Sequence, residues 1–561
     1  MIEKIVNFAK HLTPIALVGP GGIGKTAIAL TVLHDDRIKR RFGEDRRFIR
    51  CDKFPPSLPH FLRKLSKVLG AVIENPEDLT PLRPLLFSKD MFIVLDNAES
   101  ILDPHLTSAK KIYEVVVELS RLNNVCLCIT SRISTVPPDC KWLDVPTLSM
   151  EAACDTFHRI YQRSGRSDRV KNILEQLSDT YPLSITLLAT VAHHNKWDID
   201  RLTSEWGERR MDVLQTEHHN SLAAAIELSL SCLMFQELGP DARDLLEVVA
   251  FFPQGVDEKN VDWLFPMIAG RKDIFNGFCV LSLAYQSDGF VTMLAPLRDY
   301  LSPKDPISAQ LLCSIKERYF SRLSVDVKPG WPGFEEARWI TSEDANVEHL
   351  LDVFTVVDAT SGGVWDACAD FMKHLVWYKP RVVMLGPGIG ALAGDHPSKL
   401  ECLLQLSELL LRVGDHMESI KLLFYTEKLS RERGDDRQLA RTLRQLSVVH
   451  GLLGLYEQGA RRAKESLEIS ERLGDAAEQA RCLIELARSL RYEQLNLAEA
   501  AAFRAIDLIS GRDERFLFCH CHHLLGDVYR FNGDTEKATH HYEMALGITS
   551  SFKLAQPAVL D

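Results

Sequence analysis

The chain lacks an apolar run long enough to cross a bilayer. Its longest, Leu183 to Ala192, includes Ser184 and Thr186 and is well short of the ~20 residues a spanning helix needs. It also lacks a leader in which basic residues precede an apolar stretch, so the expectation is a soluble, cytoplasmic protein with no membrane partner. There is no disulfide framework: the 13 cysteines are odd in number and follow no repeating spacing, which suggests reduced thiols. Positive charge is in deficit, with 66 Lys and Arg against 77 Asp and Glu and a net charge of −11. Nucleic acid is therefore disfavoured as the main partner, since binding its phosphates needs a basic face. One basic stretch exists (Arg37, Lys39, Arg40, Arg41, Arg46, Arg47, Arg50), read as a solvated helix end and the strand after it. No nucleophile elbow and no metal-hydrolase spacing occur.

What is present is sharper. The octapeptide Gly19-Pro20-Gly21-Gly22-Ile23-Gly24-Lys25-Thr26 fits the phosphate-loop pattern G-x-x-x-x-G-K-[ST]. An apolar run, Ile15-Ala16-Leu17-Val18, precedes it as a buried strand, and the run from Thr26 to Leu33 follows as a helix. Such glycines let backbone N–H groups face a phosphate, and the helix N-terminus adds its dipole. The nucleotide cradle is Gly19, Gly21, Gly22, Ile23, Gly24, Lys25, Thr26 and Ala27, with Lys25 on the β- and γ-phosphates and Thr26 on Mg2+. The chain is expected to bind ATP or ADP.

At 561 residues the chain is too long for one core, and five regions are expected. Residues 1–148 alternate strands (Ile15–Val18, Phe48–Cys51, Met91–Leu95, Val125–Thr130, Trp142–Val145) with helices, notably Leu58–Leu69 and Ala109–Leu122. Short apolar strands without in/out alternation suit a parallel sheet covered on both faces, hence a doubly wound α/β domain. Residues 149–218 read as helices broken at Pro182. Residues 219–304 read as helices closed by a compact β end, Gly289 to Leu294, which suits a winged-helix unit. Residues 305–400 are a helical connector marked at its start by Pro303, Pro306, Pro329 and Pro332.

The last region, 401–561, is an internal repeat. Leu446, His450, Gly454, Ala463 and Ser466 recur 40 residues later as Leu486, Leu490, Gln494, Phe503 and Ile506. They recur 39 residues further on as Leu525, Tyr529, Gly533, Tyr542 and Ala545, and a fainter copy precedes them at Leu406, Leu410, Gly414, Leu423 and Thr426. The joint Gly434-Asp435 returns as Gly474-Asp475. Each unit is a helix, a turn and a second helix that cannot bury its apolar face alone, so about four copies stack into an all-α solenoid. The copy from Leu525 to Leu546 resembles a long tetratricopeptide repeat. A protein or peptide ligand in the groove of the solenoid is the expected partner.

A phosphate loop alone does not say what happens to the nucleotide. Met91 to Leu95 ends in Asp96, as a Walker B strand does, and Asp96 would hold Mg2+ together with Thr26. Many hydrolytic sites place a second acid directly after it. Here that position is Asn97, whose amide takes no proton at neutral pH, leaving Glu99 as the substitute base and at most a slow ATPase. Cys126 to Arg132 is a strand ending in Thr-Ser-Arg, and Arg132 can reach a γ-phosphate from the neighbouring strand.

GPGGIGKT, FIVLDNAES, LCITSR, YPLSITLLA (Tyr181 to Ala189) and MLAPLRDYL (Met293 to Leu301) occur in the order seen in NB-ARC proteins. The chain thus resembles the STAND-class signalling NTPases, and its tetratricopeptide end looks most like fungal NOD-like receptors. The resemblance implies a switch in which ADP closes the nucleotide, helical and winged-helix domains and ATP opens them, allowing homo-oligomerisation. It implies that Pro182 sits against the adenine and that Arg132 senses the γ-phosphate. Two departures stand out. The family's Met-His-Asp triplet is Met293-Leu294-Ala295 here, so closure must rest on other groups, Arg298 or packing alone. Only 18 residues precede Gly19, with no recognisable effector, which suggests a shortened chain or a receptor that works with a separate effector.

Other signals are set aside. Cys519-His520-Cys521-His522-His523 places only Cys519 and His523 on one helix face and reads as mixed burial, not a metal site. Gly386-Pro387-Gly388-Ile389-Gly390 lacks the Lys-Thr of a phosphate loop. Two alternatives to the switch remain: a tetratricopeptide scaffold with a degenerate NTPase domain, and a winged-helix transcription regulator, the latter opposed by the acidic balance.

Overall fold

The computed structural model describes residues 1–53, 58–71, 79–104, 109–133, 135–162, 167–177, 180–214, 221–301, 307–324, 334–357, 362–378, 398–512 and 514–553. The chain forms two compact units, Met1–Lys316 and Glu317–Asp561. The glycine-rich segment 386–390 and Pro303, Pro306, Pro329 and Pro332 lie outside the described residues.

The first unit is built on a five-stranded sheet of β1 (Ile15–Val18), β2 (Arg46–Arg50), β3 (Met91–Asp96), β4 (Val125–Ser131) and β5 (Lys141–Asp144). The order is β2-β3-β4-β1-β5 and every pairing is parallel. Alternate side chains leave opposite faces of a strand, and each face has its own core. Ile93, Leu95, Leu127 and Ile129 pack with Phe61, Leu65, Ile112 and Val116 of helices Leu58–Leu69 and Ala109–Ser120. Phe92, Val94, Cys126, Cys128, Ile15 and Leu17 pack with Ile5, Val6, Ala29 and Val32 of helices Ile2–Lys10 and Lys25–Leu33. This is the doubly wound domain that the buried apolar runs predict.

Helices Met150–Tyr161, Ser167–Glu175, Pro182–His194 and Ile199–Leu214 follow. Pro182 does not interrupt a helix but opens one: it stands in the first turn, where a missing N–H costs no intrahelical bond. Further helices, Ser221–Ser231, Ala242–Phe251 and Arg271–Val280, lead to a small antiparallel sheet of β6 (Val256–Asp257), β7 (Tyr285–Ser287) and β8 (Phe290–Thr292) in the order β6-β8-β7. Helix Ala295–Leu301 comes directly after it. The basic stretch is largely neutralised locally: Arg37 pairs with Glu3 and Asp35, Arg41 with Asp90, and Arg50 with Asp52.

The second unit is helical throughout its described residues and ends in eight helices that form four pairs. They are Ser398–Arg412 with His416–Arg433, Asp436–Leu452 with Tyr456–Leu473, Ala476–Leu490 with Leu495–Ile509, and Arg515–Phe531 with Thr535–Lys553. One sequence alignment within the repeat is displaced by a residue. Ala463 and Ser466 are fully buried in the second pair, and their counterparts in the third are the fully buried Ala502 and Ala505. Phe503 is 41% exposed, and Ile506 is only partly buried. The first helix of the third pair is two residues shorter and the turn after it one longer, so the second helix starts one residue early. None of the cysteines is paired, and no described helix is long and apolar enough to cross a membrane.

The repeated Gly-Asp joints have a common chemistry. Gly434 and Gly474 end their helices in the left-handed conformation at φ 67°, and the next residue caps the following helix. Asp435 accepts from the Gln438 N–H at 3.0 Å, and Asp475 accepts from that of Glu478 at 3.1 Å. Asp435→Ala is expected to lower the unfolding free energy by about 1 kcal/mol. Urea denaturation followed by circular dichroism checks this, and a loss under about 0.3 kcal/mol would deny the cap its role.

Candidate functional site

Strand β1 lies between β4 and β5, and its carboxyl end delivers the chain into Gly19–Thr26. Gly24 is the N-cap of helix Lys25–Leu33 at φ 97°, a conformation that side chains other than glycine rarely adopt. Gly21 is required for space. A Cβ there would lie 2.7 Å from Pro296 Cγ, too close for any real contact. Leu183 and Pro182 approach the loop from another side: the Leu183 N–H donates to the Gly22 carbonyl at 3.4 Å, and a Cβ on Gly24 would meet Pro182 Cγ at 3.7 Å. Three elements therefore converge on one loop, the carboxyl end of the sheet, helix Pro182–His194 and helix Ala295–Leu301.

Lys25 is only 6% exposed, and its ammonium donates to the Gly19 carbonyl at 2.6 Å and to that of Pro20 at 3.0 Å. Thr26 Oγ1 donates to Asp96 Oδ1 at 2.8 Å, and Thr130 Oγ1 donates to the same oxygen at 2.7 Å. Burial pushes the Asp96 carboxyl up, and the two hydroxyls oppose the shift. A hydroxyl beside a carboxylate is a hard-oxygen pair of the kind magnesium accepts when phosphate and water supply its remaining ligands, so Thr26 and Asp96 fit the ion. Among the described residues no group of three or more His, Cys, Asp or Glu converges as a metal site. In the tract 519–523, Cys519 and Cys521 are buried, and His522 is hydrogen-bonded to His541, Nδ1 to Nδ1, at 3.0 Å.

Asn97 follows Asp96 in the left-handed conformation at φ 55°, which asparagine tolerates better than most residues. Its N–H donates to Thr130 Oγ1 at 3.0 Å. Glu99 accepts from the Arg132 backbone N–H at 3.2 Å and pairs with Arg132 Nε at 3.2 Å. Burial raises the Glu99 carboxyl, and Arg132 and Lys25 partly offset this. The Arg132 head lies on the loop: a Cβ on Gly21 would be 3.4 Å from its Cζ. Its Nη1 donates to Asp299 of helix Ala295–Leu301.

The predicted site residues thus gather at one place: Gly19 to Ala27, Asp96, Glu99, Arg132 and Pro182. Arg298 does not join them. Its Nη2 donates to the Pro253 carbonyl at 3.3 Å, and burial lowers its guanidinium below the ordinary range. The residues of that helix that reach the site are Pro296, against Gly21, and Asp299, on Arg132, which sequence reading passed over. Thr130 was also missed, although its signal was present. Leu95 pairs with Ile129 in register, so adjacent strands set Asp96 beside Thr130.

Burial lowers the Lys25 ammonium from 10.5 to about 8, so above that pH a growing fraction of the amine is neutral. A bound phosphate favours the charged form and raises the pKa again. Nucleotide binding is therefore expected to take up protons between about pH 8 and 10, and to weaken as pH rises through that window. Calorimetry at roughly pH 8.5 in two buffers of different ionisation enthalpy checks this, and identical heats would sink it.

No protein-family model and no curated protein sequence matches the chain. Solved structures do. One is a Signal Transduction ATPase with Numerous Domains (STAND) protein with a tetratricopeptide repeat sensor from Pyrococcus horikoshii. It aligns at a TM-score of 0.63 and 14% identity over 98% of this chain and 77% of its own. A Walker-type ATPase of Pyrococcus abyssi aligns at a TM-score of 0.28 and 12% identity over 54% of this chain and 94% of its own. The first likeness covers almost the whole length, so this chain has the fold of a STAND ATPase with a tetratricopeptide sensor.

Proposed function

We propose that the chain is a nucleotide-operated signalling switch of the STAND type that binds ADP and ATP with Mg2+. The observation that carries this reading is the convergence on one phosphate loop of a buried lysine, a Thr26–Asp96 pair and Arg132, the last tied to helix Ala295–Leu301. Lys25, Thr26 and the loop amides hold the phosphates, and Pro182 lies at the edge of the loop where a base would sit. When bound, Mg2+ offsets charge on the phosphate oxygens. Residues 1–148 act as the nucleotide domain, 149–218 as the helical domain and 219–304 as the winged-helix domain. Residues 305–400 connect these to the solenoid of 401–561, which senses a protein or peptide, and ATP drives self-association in the cytoplasm.

Hydrolysis is slow in this reading. Asn97 supplies no base, and Glu99 is engaged by Arg132 through two contacts. A second reading, a repeat scaffold with a degenerate NTPase domain, draws on the Lys25 ammonium being satisfied by the loop's own carbonyls.

The deciding experiment is to purify the chain without added nucleotide, denature it and identify what is released by chromatography. Stoichiometric ADP or ATP supports the switch. An empty protein that takes up neither on titration leaves the scaffold. Lys25→Ala is expected to weaken nucleotide binding by about a hundredfold, the value of two charge-assisted contacts. Unchanged affinity would remove the phosphate-loop role. Asn97→Asp is expected to raise turnover by about tenfold or more where a missing base is limiting. A flat phosphate-release rate would mean that Glu99 already serves or that closure is limiting.

A further inference from the structure

We propose that Asp299 competes with a nucleotide's γ-phosphate for Arg132, so that this arrangement takes the diphosphate and resists the triphosphate. The inference rests on the reading of Gly19–Thr26 as a nucleotide site and deepens it by naming what sets its ADP/ATP preference.

The Arg132 guanidinium is already committed to carboxylates. Its Nε faces Glu99 Oε1 at 3.2 Å, its Nη1 donates to Asp299, and its backbone N–H donates to Glu99 Oε2. The same guanidinium overlies Gly21, so an anion bound beyond the β-phosphate meets it with Asp299 in place. A guanidinium offers a planar fork of donors that suits carboxylate and phosphate equally, so the two are alternatives at one position.

The two competing groups lie on different elements. Arg132 follows β4 of the parallel sheet, whereas Asp299 is on the helix directly after β8. Pro296 and Asp299 are three residues apart and share a helix face. Pro296 covers Gly21 while Asp299 holds Arg132, so displacing the carboxylate also loosens the proline from the loop. Leu294 is an apolar, 43% exposed side chain that offers no hydrogen bond to a phosphate. Arg298, the remaining cation of the helix, is turned to the Pro253 carbonyl. Asp299 is thus the charged group through which this helix registers the phosphate number.

The strength of the pair suits exchange. The Asp299 side chain is 58% exposed against 29% for Arg132, so solvent screens the pair. A γ-phosphate carries more charge than a carboxylate and can displace it, and the carboxylate still taxes its entry.

The test is titration of the full chain with ADP and with ATP, each with magnesium, for wild type, Asp299→Asn, Asp299→Glu, Arg132→Ala and the Asp299→Asn/Arg132→Ala pair. Asp299→Asn is expected to raise the ATP-to-ADP affinity ratio by about three- to tenfold. Asp299→Glu restores the carboxylate and is expected to return the ratio toward wild type. In the Arg132→Ala background the Asp299→Asn effect is expected to vanish. An unchanged ratio in Asp299→Asn, or an equal rise in the Arg132→Ala background, overturns the competition and leaves the nucleotide reading intact. A wild-type chain that takes up neither nucleotide overturns both.

Discussion

Asp96 brings a carboxylate into the interior of a parallel sheet, and satisfying it constrains everything around the phosphate loop. The residue is 1% exposed, so its charge must be held by the protein itself. Left unpaired in such a setting, a carboxylate costs several kcal/mol or gives up its charge. Two hydroxyls prevent that, one from Thr26 at the start of the loop helix and one from Thr130 on the neighbouring strand. Thr130 Oγ1 also accepts the Asn97 N–H, so the turn after β3 is fixed by the same group. Loop, strand and turn therefore share one small network, and moving any of them orphans a buried polar atom.

Legibility in the sequence follows the range of the interaction. The phosphate loop, its strand and its helix are local, and the octapeptide with its apolar flank specified all three. Strands β1, β3 and β4 were readable because a sheet buried on both faces demands unbroken apolar runs, whereas β2, in which only Ile49 is buried, runs Arg46–Arg50 and not Phe48–Cys51. The edge strand β5 is mostly exposed, and its apolar content placed it one residue late. What no local pattern could reveal is the roof over the loop. Arg132 and Asp299 are 167 residues apart. A basic or acidic residue at either position has many surface partners available, so only the fold selects this one. Arg298 attracted attention as the cation of its helix, yet burial and the Pro253 carbonyl took it elsewhere.

The repeats show a similar division. Small residues and Gly-Asp joints carry information at fixed spacing, and the helices follow. The one-residue displacement at Ala502 and Ala505 arises because the first helix and turn of the third pair, Ala476 to Gln494, are together one residue shorter than Asp436 to Leu455 in the second. A fixed spacing carried through this shorter stretch puts the exposed Phe503 and the partly buried Ile506 where fully buried residues belong. Adjacent pairs are also tied by ions: Glu401 with Arg441, Glu427 with Arg462, and Arg444 with Glu478 at 2.6 Å. Arg444 and Glu478 are both largely shielded from water, so a mispaired register would strand a buried charge. The ions thus favour one stacking order beyond what apolar contact alone would select.

At the phosphate loop the charged side chains have protein partners, and the form of that pairing bears on function. Burial lowers Lys25 and raises Glu99, shifts that leave each group closer to its neutral form than in water. Arg132 has two carboxylates against it, Glu99 and Asp299. A polyphosphate entering the loop reverses both tendencies. It stabilises the ammonium, and its own oxygens contend with the carboxylates for the guanidinium. Of those carboxylates, Glu99 opens the short helix Glu99–Leu102 just after β3 and is largely buried, whereas Asp299 is exposed and belongs to a separate helix. Added negative charge at the loop therefore acts first on the weaker, outer tether, and the response to a ligand is directed toward helix Ala295–Leu301 and not toward the sheet.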